Sequence, residues 1–288
     1  MPALLRVTGG VTRGQFLLSP FVFSGPVAKQ RIVFVCGDHE YSGESTLPLF
    51  GQELTQRYGL ATQTVKSSPD QNGETDIPGL EALNDASLAV FFLRWRQLPI
   101  EQLALISKYV EAGKPVIGLR TTSHSFNYPR TDERSMWNRW AADVFGAPPG
   151  WNVEGHSHYG HLSTTRVSVN PKAKHDPLLK GLSKDFDAPS WLYNVAPKYP
   201  PANAKVLLYG EAVNPNKPAV RNPVAWTWNN RFGAKAFYTS LGHPGDFALE
   251  PFQRLLTNAV FWALGAKEPK DWAGPMKIQV PYRGLVKT

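Results

Sequence analysis

Short apolar runs alternate with amphipathic segments along the chain from residue 31 onward. The runs at 31–36, 87–94 and 114–120 have the length and composition of buried strands. Between and after them, apolar residues recur every three or four positions, as they do on the buried face of a helix. This alternation predicts an α/β fold in which helices cover a parallel sheet.

The predicted helices have clear boundaries in the sequence. One covers 44–58 and ends before Gly59, and a second begins at Pro99. A third carries Trp137 and Trp140 at helical spacing, and we expect both tryptophans in the core. A final amphipathic helix follows the last apolar strand, so the doubly wound pattern resumes near the end of the chain.

Residues 147–235 depart from this pattern and read as antiparallel strands joined by turns. We therefore expect an antiparallel β insertion within a single domain that covers residues 31–266. Residues 1–30 are predicted to form an N-terminal arm, and residues 267–288 are predicted to form an extended C-terminal tail.

The N-terminal arm has basic residues followed by a short apolar run at 16–23, which faintly resembles an export signal. Pro20 interrupts that run, so the sequence favours an irregular arm that lies over the domain. A cytoplasmic and a bacterial periplasmic location both stay open. No stretch approaches the ~20 consecutive apolar residues that span a bilayer, so we expect no membrane partner.

Charge and cysteine content narrow the function further. The formal net charge is +8, but the basic residues are scattered and form no binding motif, so we expect no nucleic-acid partner. The single cysteine, Cys36, excludes an internal disulfide and a multi-cysteine metal site, and its apolar strand predicts a buried side chain. Nothing in the sequence indicates a cofactor, and a homo-oligomer stays open.

Polar and ionisable side chains follow four of the predicted strands. Because the carboxyl ends of parallel strands face a common crevice, we expect these side chains to meet there. They are Asp38, His39, Glu40 and Tyr41 after the first strand, Arg94, Trp95 and Arg96 after the second, Arg120, Thr121 and His124 after the third, and His243 and Asp246 after the last. Each has a structural explanation of its own, such as helix capping, but their convergence predicts a shared site for acid/base chemistry or polar-ligand binding.

A histidine cluster lies within the predicted insertion. "EGHSHYGH" contains His156, His158 and His161, and the first two would share one face of a strand. Two such imidazoles could hold a metal ion, but no clear carboxylate partner accompanies them. We therefore predict no metal site and place these histidines at the rim of the crevice.

Five motifs follow one another along the chain, namely "IVFVCGDHEYSGESTLP", "KPVIGLRTTSHSF", "HDPLLKGL", "SWLYNV" and "AFYTSLGHPGDFALEPFQRLLTNAVFWALG". In this order they resemble the trehalose-utilisation, or ThuA-like, family, and the last motif is the most specific. The resemblance covers most of residues 31–266. It implies the fold of class I glutamine amidotransferases, a flavodoxin-like parallel sheet flanked by helices.

The sequence departs from true amidotransferases at two catalytic positions. In true amidotransferases, a strand of the type "P-V-x-G-I-C-x-G" supplies a cysteine nucleophile, and a later "H-P-E" supplies a histidine and a glutamate. Here Arg120 stands at the cysteine position and Gly245 at the glutamate position, whereas His243 is retained. A guanidinium offers no attacking atom, so we predict no glutaminase activity.

The resemblance implies action on a disaccharide, a glycoside or a 3-keto sugar. A carbonyl at C3 acidifies adjacent C–H bonds, so a base could remove a proton while a cation stabilises the enolate oxygen. The predicted catalytic residues are His243 or Glu40 as the base, Arg120 or Arg94 as the oxyanion partner, and His124 to orient hydroxyls or shuttle protons. The predicted substrate-binding residues are His39, Tyr41, Arg94, Trp95, Arg96, Thr121, Asp246 and His158.

The residues leave two alternatives to a carbohydrate-modifying enzyme. One is a catalytically silent protein that binds a carbohydrate or another small polar ligand. The other is a metal-dependent hydrolase that uses His156 and His158. The choice among isomerase, lyase and hydrolase also stays open.

Overall fold

The computed structural model describes residues 30–67, 74–269 and 272–284. The predicted N-terminal arm lies outside the described residues, apart from Gln30. The strands are β1 (Arg31–Gly37), β2 (Ala61–Lys66), β3 (Leu88–Leu93), β4 (Val116–Leu119), β5 (Ser157–His158), β6 (Thr164–Val169), β7 (Asp185–Ala188), β8 (Tyr193–Asn194), β9 (Lys205–Val213), β10 (Asn222–Asn229) and β11 (Lys235–Thr239). The helices are α1 (Gly43–Tyr58), α2 (Ile100–Glu111), α3 (Trp140–Phe145) and α4 (Glu250–Ala263).

Nine of these strands form one mixed sheet, in the order β2-β1-β3-β4-β11-β10-β9-β6-β7. The five strands from β2 to β11 in that order are parallel. From β11 onward every neighbouring pair is antiparallel. The remaining two strands, β5 and β8, pair with each other in a small separate sheet. The α/β class predicted from the sequence is therefore confirmed.

Helices cover both faces of the parallel strands. Phe50 of α1 and Leu256 of α4 pack on one face together with Phe34 of β1. Ile106 of α2 and Val144 of α3 pack on the opposite face. Because both faces are covered, β1 and β3 are apolar at consecutive positions instead of alternating with polar residues. No helix among the described residues has the length and apolar character needed to cross a membrane.

Strand β2 has no counterpart among the sequence predictions. Its sequence, ATQTVK, contains polar residues, and only Val65 is buried. The strand lies at the edge of the sheet and pairs only with β1. An edge position leaves much of a strand in contact with solvent, so its sequence lacks the apolar run by which a buried strand is recognised.

The helix predicted around the tryptophans is shorter than expected. Residues Glu133–Arg139 form a 3₁₀ turn, and the α-helix begins only at Trp140. The side chain of Asp132 accepts a hydrogen bond from the backbone N–H of Arg134 and so fixes the start of the 3₁₀ turn. The prediction that Trp137 and Trp140 share one helix is therefore wrong, although both rings pack against the core as expected.

The described part of the C-terminal tail, residues 267–269 and 272–284, contains no helix or strand. It is attached to α4 by Gln253, whose side chain accepts a hydrogen bond from Met276 N–H (2.7 Å) and donates one to the Met276 carbonyl (2.9 Å). Ile278 is fully buried. These attachments bring Tyr282 to the carboxyl ends of the parallel strands.

Candidate functional site

A pocket of about 150 Å³ opens beside the carboxyl ends of the parallel strands. It is lined by Glu40, Tyr41, Arg94, His124, Trp151, His158, His161, Trp191 and Tyr193. The loops after β1, β3 and β4 supply the first four of these residues, and the segments around β5 and β8 supply the other five. The convergence expected at the strand ends is therefore present, and it is completed by side chains from the antiparallel region.

Asp38 fixes the loop that follows β1. Its carboxylate accepts hydrogen bonds from the backbone N–H groups of Glu40 (3.2 Å) and Tyr41 (2.6 Å). Burial raises the pKa of Asp38 to about 6, although the nearby charge of Arg94 acts in the opposite direction. The loop is thus held so that Glu40 and Tyr41 face the pocket, while Asp38 itself lies behind it.

His39 and Arg96 are buried beside the pocket and do not line it. The His39 Nε2 atom is 2.9 Å from an Arg94 nitrogen, and its Nδ1 atom is 2.6 Å from an Arg96 nitrogen. Arg96 also donates to the Arg94 carbonyl (2.8 Å) and to Ser67 Oγ (3.2 Å). The sequence predicts substrate contact for His39 and Arg96, but in this arrangement both position Arg94.

Arg94 is the cation that reaches the pocket. Its Nε atom lies 3.0 Å from a carboxylate oxygen of Glu40, and its guanidinium lies 3.6 Å from the centre of the Trp95 ring. Trp95 has a left-handed backbone (φ 53°), and its backbone N–H donates to the His124 carbonyl (3.0 Å). The ion pair and the stacked indole hold the guanidinium in one orientation.

Arg120 lies beneath the aromatic wall of the pocket and is fully buried. Its guanidinium donates to the Ser240 carbonyl (2.9 Å) and to the Tyr41 hydroxyl (3.1 Å). It also lies 4.2 Å from the centre of the Tyr41 ring and 4.8 Å from that of Tyr193. Arg120 does not line the pocket and lies below it as a buried positive charge, so the direct contact with an oxyanion stays a prediction.

The chain turns sharply at Arg120, the first residue after β4. Its φ of 41° lies in the left-handed region, which is costly for a residue with a side chain and recurs at functional sites. Its carbonyl accepts hydrogen bonds from the Tyr238 hydroxyl (2.5 Å) and Ser123 Oγ (3.2 Å). Thr121, predicted to bind substrate, is fully buried in this turn and does not line the pocket.

His124 ends the same turn and lines the pocket. Its Nδ1 atom is 3.0 Å from Ser123 Oγ. Because the Ser123 hydroxyl donates to the Arg120 carbonyl, its oxygen is available to accept from His124 Nδ1–H, which leaves the lone pair on Nε2. Burial holds the pKa of His124 well below its usual range, and the charges of His156 and Arg94 act in the same direction. The ring is therefore neutral near pH 7, with Nε2 as a proton acceptor.

His243 is half-buried and caps the turn after β11. Its Nδ1 atom accepts a hydrogen bond from Gly245 N–H (3.1 Å), so the neutral ring carries its hydrogen on Nε2. Burial, with the charge of Arg120, lowers the pKa of His243 to about 4. The ring lies against Tyr282, with centroids 4.6 Å apart, and does not line the pocket. In this arrangement the side chain is a donor, which does not suit the predicted role of base.

Asp246 belongs to the same turn and is fully buried. Its carboxylate accepts hydrogen bonds from the backbone N–H groups of Gly242 (2.7 Å) and His243 (3.0 Å), and from Ser190 Oγ (2.5 Å). Burial raises its pKa, and these hydrogen bonds act in the opposite direction. In this arrangement its carboxylate oxygens accept hydrogen bonds within the protein, and the substrate contact for Asp246 stays a prediction.

The histidine cluster divides into two environments. His156 is buried and donates from Nδ1 to the Gly150 carbonyl (2.8 Å), whereas His158 lines the pocket and accepts at Nδ1 from Gly160 N–H (2.9 Å). Burial lowers the pKa of each to about 4. The lone pair of neutral His158 is thus already used. In the part of the chain that the structure describes, no three His, Cys, Asp or Glu side chains are grouped as metal ligands.

Three lining residues were not predicted, namely Trp151, Trp191 and Tyr193, whereas His161 was expected at the rim of the crevice. The Trp191 ring lies 4.3 Å from His161 and 5.1 Å from His158, measured between centroids. Tyr193 pairs with His158 across β5 and β8. Trp191 and Tyr193 lie in the "SWLYNV" motif, which was therefore the signal available in the sequence. Tyr282 adds a further unpredicted ring, stacked 5.8 Å from Tyr41.

Comparisons with known proteins agree with the fold and with the motifs. The family model described as "ThuA: Trehalose utilisation" matches residues 42–263. A ThuA-like protein from Parabacteroides merdae superposes with a TM-score of 0.61 at 18% identity, over 89% of this chain and 98% of its own. A second, from Bacteroides uniformis, gives 0.56 at 16% identity, over 87% and 96%. At these identities the likeness shows a shared fold.

A search of curated proteins gives no match to the sequence. The family model alone covers well over half of the chain, and it spans the segments that supply every residue of the pocket except Glu40 and Tyr41. On that match, the chain belongs to the ThuA family, whose model is described as trehalose utilisation.

Proposed function

We propose that this protein modifies a carbohydrate by acid/base chemistry in the pocket beside the strand ends, and that it has no glutaminase activity. The observation that carries the proposal is the pairing of two groups in one pocket. His124 offers a lone pair on Nε2, and Arg94 offers a cation fixed by Glu40. A proton acceptor beside a fixed cation is what enolate chemistry requires.

The absence of glutaminase activity is supported by the turn at Arg120. The left-handed backbone that would expose a nucleophile is present, but the side chain it carries is a buried guanidinium. The order of the parallel strands, 2-1-3-4-5 when they are numbered by themselves, supports the flavodoxin-like classification. The protein would then keep an amidotransferase-like scaffold while its chemistry has changed.

A carbohydrate is supported by the walls of the pocket as well as by the family. Trp151 and Trp191 offer flat apolar faces suited to the C–H face of a sugar ring. His158, with its hydrogen on Nε2, and Glu40 offer a donor and an acceptor for hydroxyl groups. The family description points to trehalose or a related glycoside.

Within this class we favour a 3-keto glycoside as the substrate. His124 Nε2 would take the proton from C2, and the electrons of that C–H bond would move onto the C3 carbonyl oxygen, which Arg94 stabilises as an enolate. The enolate then either takes a proton from water on the opposite face of C2 while His124 releases its proton to solvent, or expels the oxygen at C1, which takes the proton from His124. The first route is an isomerisation and the second an elimination.

The test is turnover of matched sugars by the wild-type protein and by His124→Gln. Methyl α-glucoside, trehalose and the 3-keto form of each are incubated with both proteins, and products are followed by NMR. We expect turnover of at least one 3-keto sugar by the wild type, its loss in His124→Gln, and no release of ammonia from glutamine. The exposed His175 gives a matched control, His175→Gln, with normal turnover.

Two results would overturn the proposal. Equal turnover by wild type and His124→Gln would remove His124 from the chemistry. Tight binding of a sugar with no turnover of any of the four compounds would instead favour the catalytically silent binding protein. The metal-dependent alternative is not favoured, because His158 already spends its lone pair on Gly160 N–H.

A further inference from the structure

A second and larger depression adjoins the pocket. It is a groove of about 460 Å³ lined by Trp95, Phe126, Asn127, Asn138, Pro149, Gly150, Trp151, Asn152 and Val153. Trp151 lines both the pocket and the groove, so its indole forms a common wall. The His124 ring lies near both indoles of this region, 6.2 Å from Trp95 and 5.2 Å from Trp151. The groove therefore begins where the candidate base lies.

The two spaces differ in chemistry. The pocket presents Glu40, Arg94 and three histidines. None of the nine residues that line the groove has an ionisable side chain. A surface without acids, bases or charges can hold a neutral molecule but offers no group for proton transfer. The groove is thus suited to binding a neutral part of a ligand whose reacting part lies in the pocket.

The lining of the groove combines aromatic faces with amides. Trp95 and Trp151 supply indole rings, and the exposed Asn127 and Asn152 supply carboxamides that both donate and accept hydrogen bonds. Asn138 has a different task, because its amide donates to the Tyr128 carbonyl (2.9 Å) and accepts from Tyr128 N–H (2.8 Å). Aromatic faces with free amides match the apolar face and the hydroxyl edge of a pyranose ring.

The loop that forms one side of the groove is fixed before any ligand binds. Gly150 and Asn152 have left-handed backbones (φ 111° and 57°). Gly150 N–H donates to the Ser123 carbonyl (3.1 Å), and Asn152 N–H donates to the His156 carbonyl (3.0 Å). His156 closes the loop through its hydrogen bond to the Gly150 carbonyl. A loop held in this way binds without a large ordering cost, and it ties the groove to the turn that carries His124.

We propose that this groove binds the second sugar ring of a disaccharide whose first ring occupies the pocket. This inference rests on the proposed function and names its substrate as a neutral disaccharide. The sizes support it, since ligand sites usually measure roughly 300–1,000 Å³, and the pocket alone, at about 150 Å³, falls short of that range. The groove supplies the missing space on the side of His124.

The test compares a one-ring and a two-ring ligand. Methyl α-glucoside and trehalose, with the 3-keto form of each, are titrated by calorimetry into protein carrying His124→Gln, so that turnover does not consume them. We expect the two-ring ligand to bind about tenfold more tightly than the one-ring ligand of the same oxidation state, the factor that ~1.4 kcal/mol gives. Val153→Trp, which fills the groove at a position 39% exposed, should abolish that advantage and leave one-ring binding unchanged.

Two further variants make the result specific. Val213→Trp adds the same bulk at a position 37% exposed on β9 and should leave both affinities unchanged. Asn152→Gly removes one amide while suiting the left-handed backbone, and it should weaken only the two-ring ligand. If Val153→Trp does not fold, Asn152→Gly still tests whether the groove binds the second ring.

The possible failures can be told apart. Equal affinity for one-ring and two-ring ligands, or an unchanged preference in both Val153→Trp and Asn152→Gly, would overturn the groove assignment and leave the proposed function standing. If wild-type protein neither binds nor converts any of the four sugars, the proposed function fails and this inference fails with it.

Discussion

The parallel and the antiparallel strands contribute different things to the same pocket. The loops after β1, β3 and β4 carry the charged pair Glu40 and Arg94 and the buried His124. The segments around β5 and β8 carry Trp151, Trp191 and Tyr193, together with the less buried histidines. The strand ends supply groups that can move protons, and the antiparallel region supplies the walls that shape the space around them.

The difference has a physical cause. The ends of parallel strands bring several loops to one crevice. In the loop after β1, backbone N–H groups donate to the Asp38 carboxylate and hold the loop in a fixed position. The strands β5 and β8 are short and pair with each other, and the segments around them place large rings over the crevice. Substitutions at the strand ends and in the antiparallel region should therefore have different effects.

The largest effect is expected from His124→Gln. If the parallel strands carry the chemistry, kcat should fall by about 10² to 10⁴, the usual contribution of a general base, with little change in KM. Steady-state kinetics on the best 3-keto glycoside gives both constants. A change confined to KM would contradict the assignment of His124 as the base and would indicate that it contributes only to substrate binding.

The second prediction concerns Arg120. Replacing it with methionine removes the donors to the Ser240 carbonyl and the Tyr41 hydroxyl, both in the protein interior, and should cost about 3 kcal/mol or more of unfolding free energy. Urea denaturation measures the loss. Arg166→Met, on an exposed ion pair with Asp187, should change stability by about 0.5 kcal/mol or less. Equal stability of the two variants would show that the buried guanidinium is not a structural cation.

The third prediction is a pH dependence that originates in the antiparallel region. Burial lowers the pKa of His156 to about 4, so the folded state binds a proton less readily than the unfolded state. Stability should therefore fall as the pH drops from about 6.5 to about 4, by up to roughly 3 kcal/mol from this residue. Asp38, whose pKa burial raises to about 6, acts in the opposite direction over part of this range.

His156→Asn isolates that contribution, because its amide can still donate to the Gly150 carbonyl but does not titrate. Urea denaturation at pH 7 and pH 4.5 should show a smaller pH effect in His156→Asn than in the wild type. The exposed His175 provides His175→Asn as the control, with the wild-type pH effect. An unchanged pH effect in His156→Asn would mean that other groups dominate acid sensitivity.

The smallest effect is expected from Trp191→Phe. A smaller ring in the wall should weaken sugar stacking by ~1 kcal/mol, which raises KM about fivefold and leaves kcat nearly unchanged. Trp228→Phe, on β10 and bonded to Asn203, is the matched control and should behave as wild type. A fall in kcat without a change in KM would contradict this prediction, because it would mean that Trp191 contributes to the chemical step and not to sugar binding.

The sequence predicted the location of the site better than the task of each residue in it. Arg94, Glu40 and His124 were predicted from strand ends and do line the pocket. His243 and Arg120 were predicted by the same reasoning, yet His243 caps a turn and Arg120 lies beneath the wall. The sequence gives which loop a side chain belongs to, but its direction depends on backbone conformation and on neighbours far away in the chain.

What the sequence determined by itself was the layered α/β arrangement, the family and the set of strand ends that meet, because apolar runs and helical periodicity depend on local burial alone. What only the tertiary structure decided was which ring nitrogens of His124, His158 and His243 are hydrogen-bonded, how Trp151 divides a charged pocket from a neutral groove, and how Tyr282 reaches the site. These features arise from contacts between residues that are distant in sequence, and no local pattern records them.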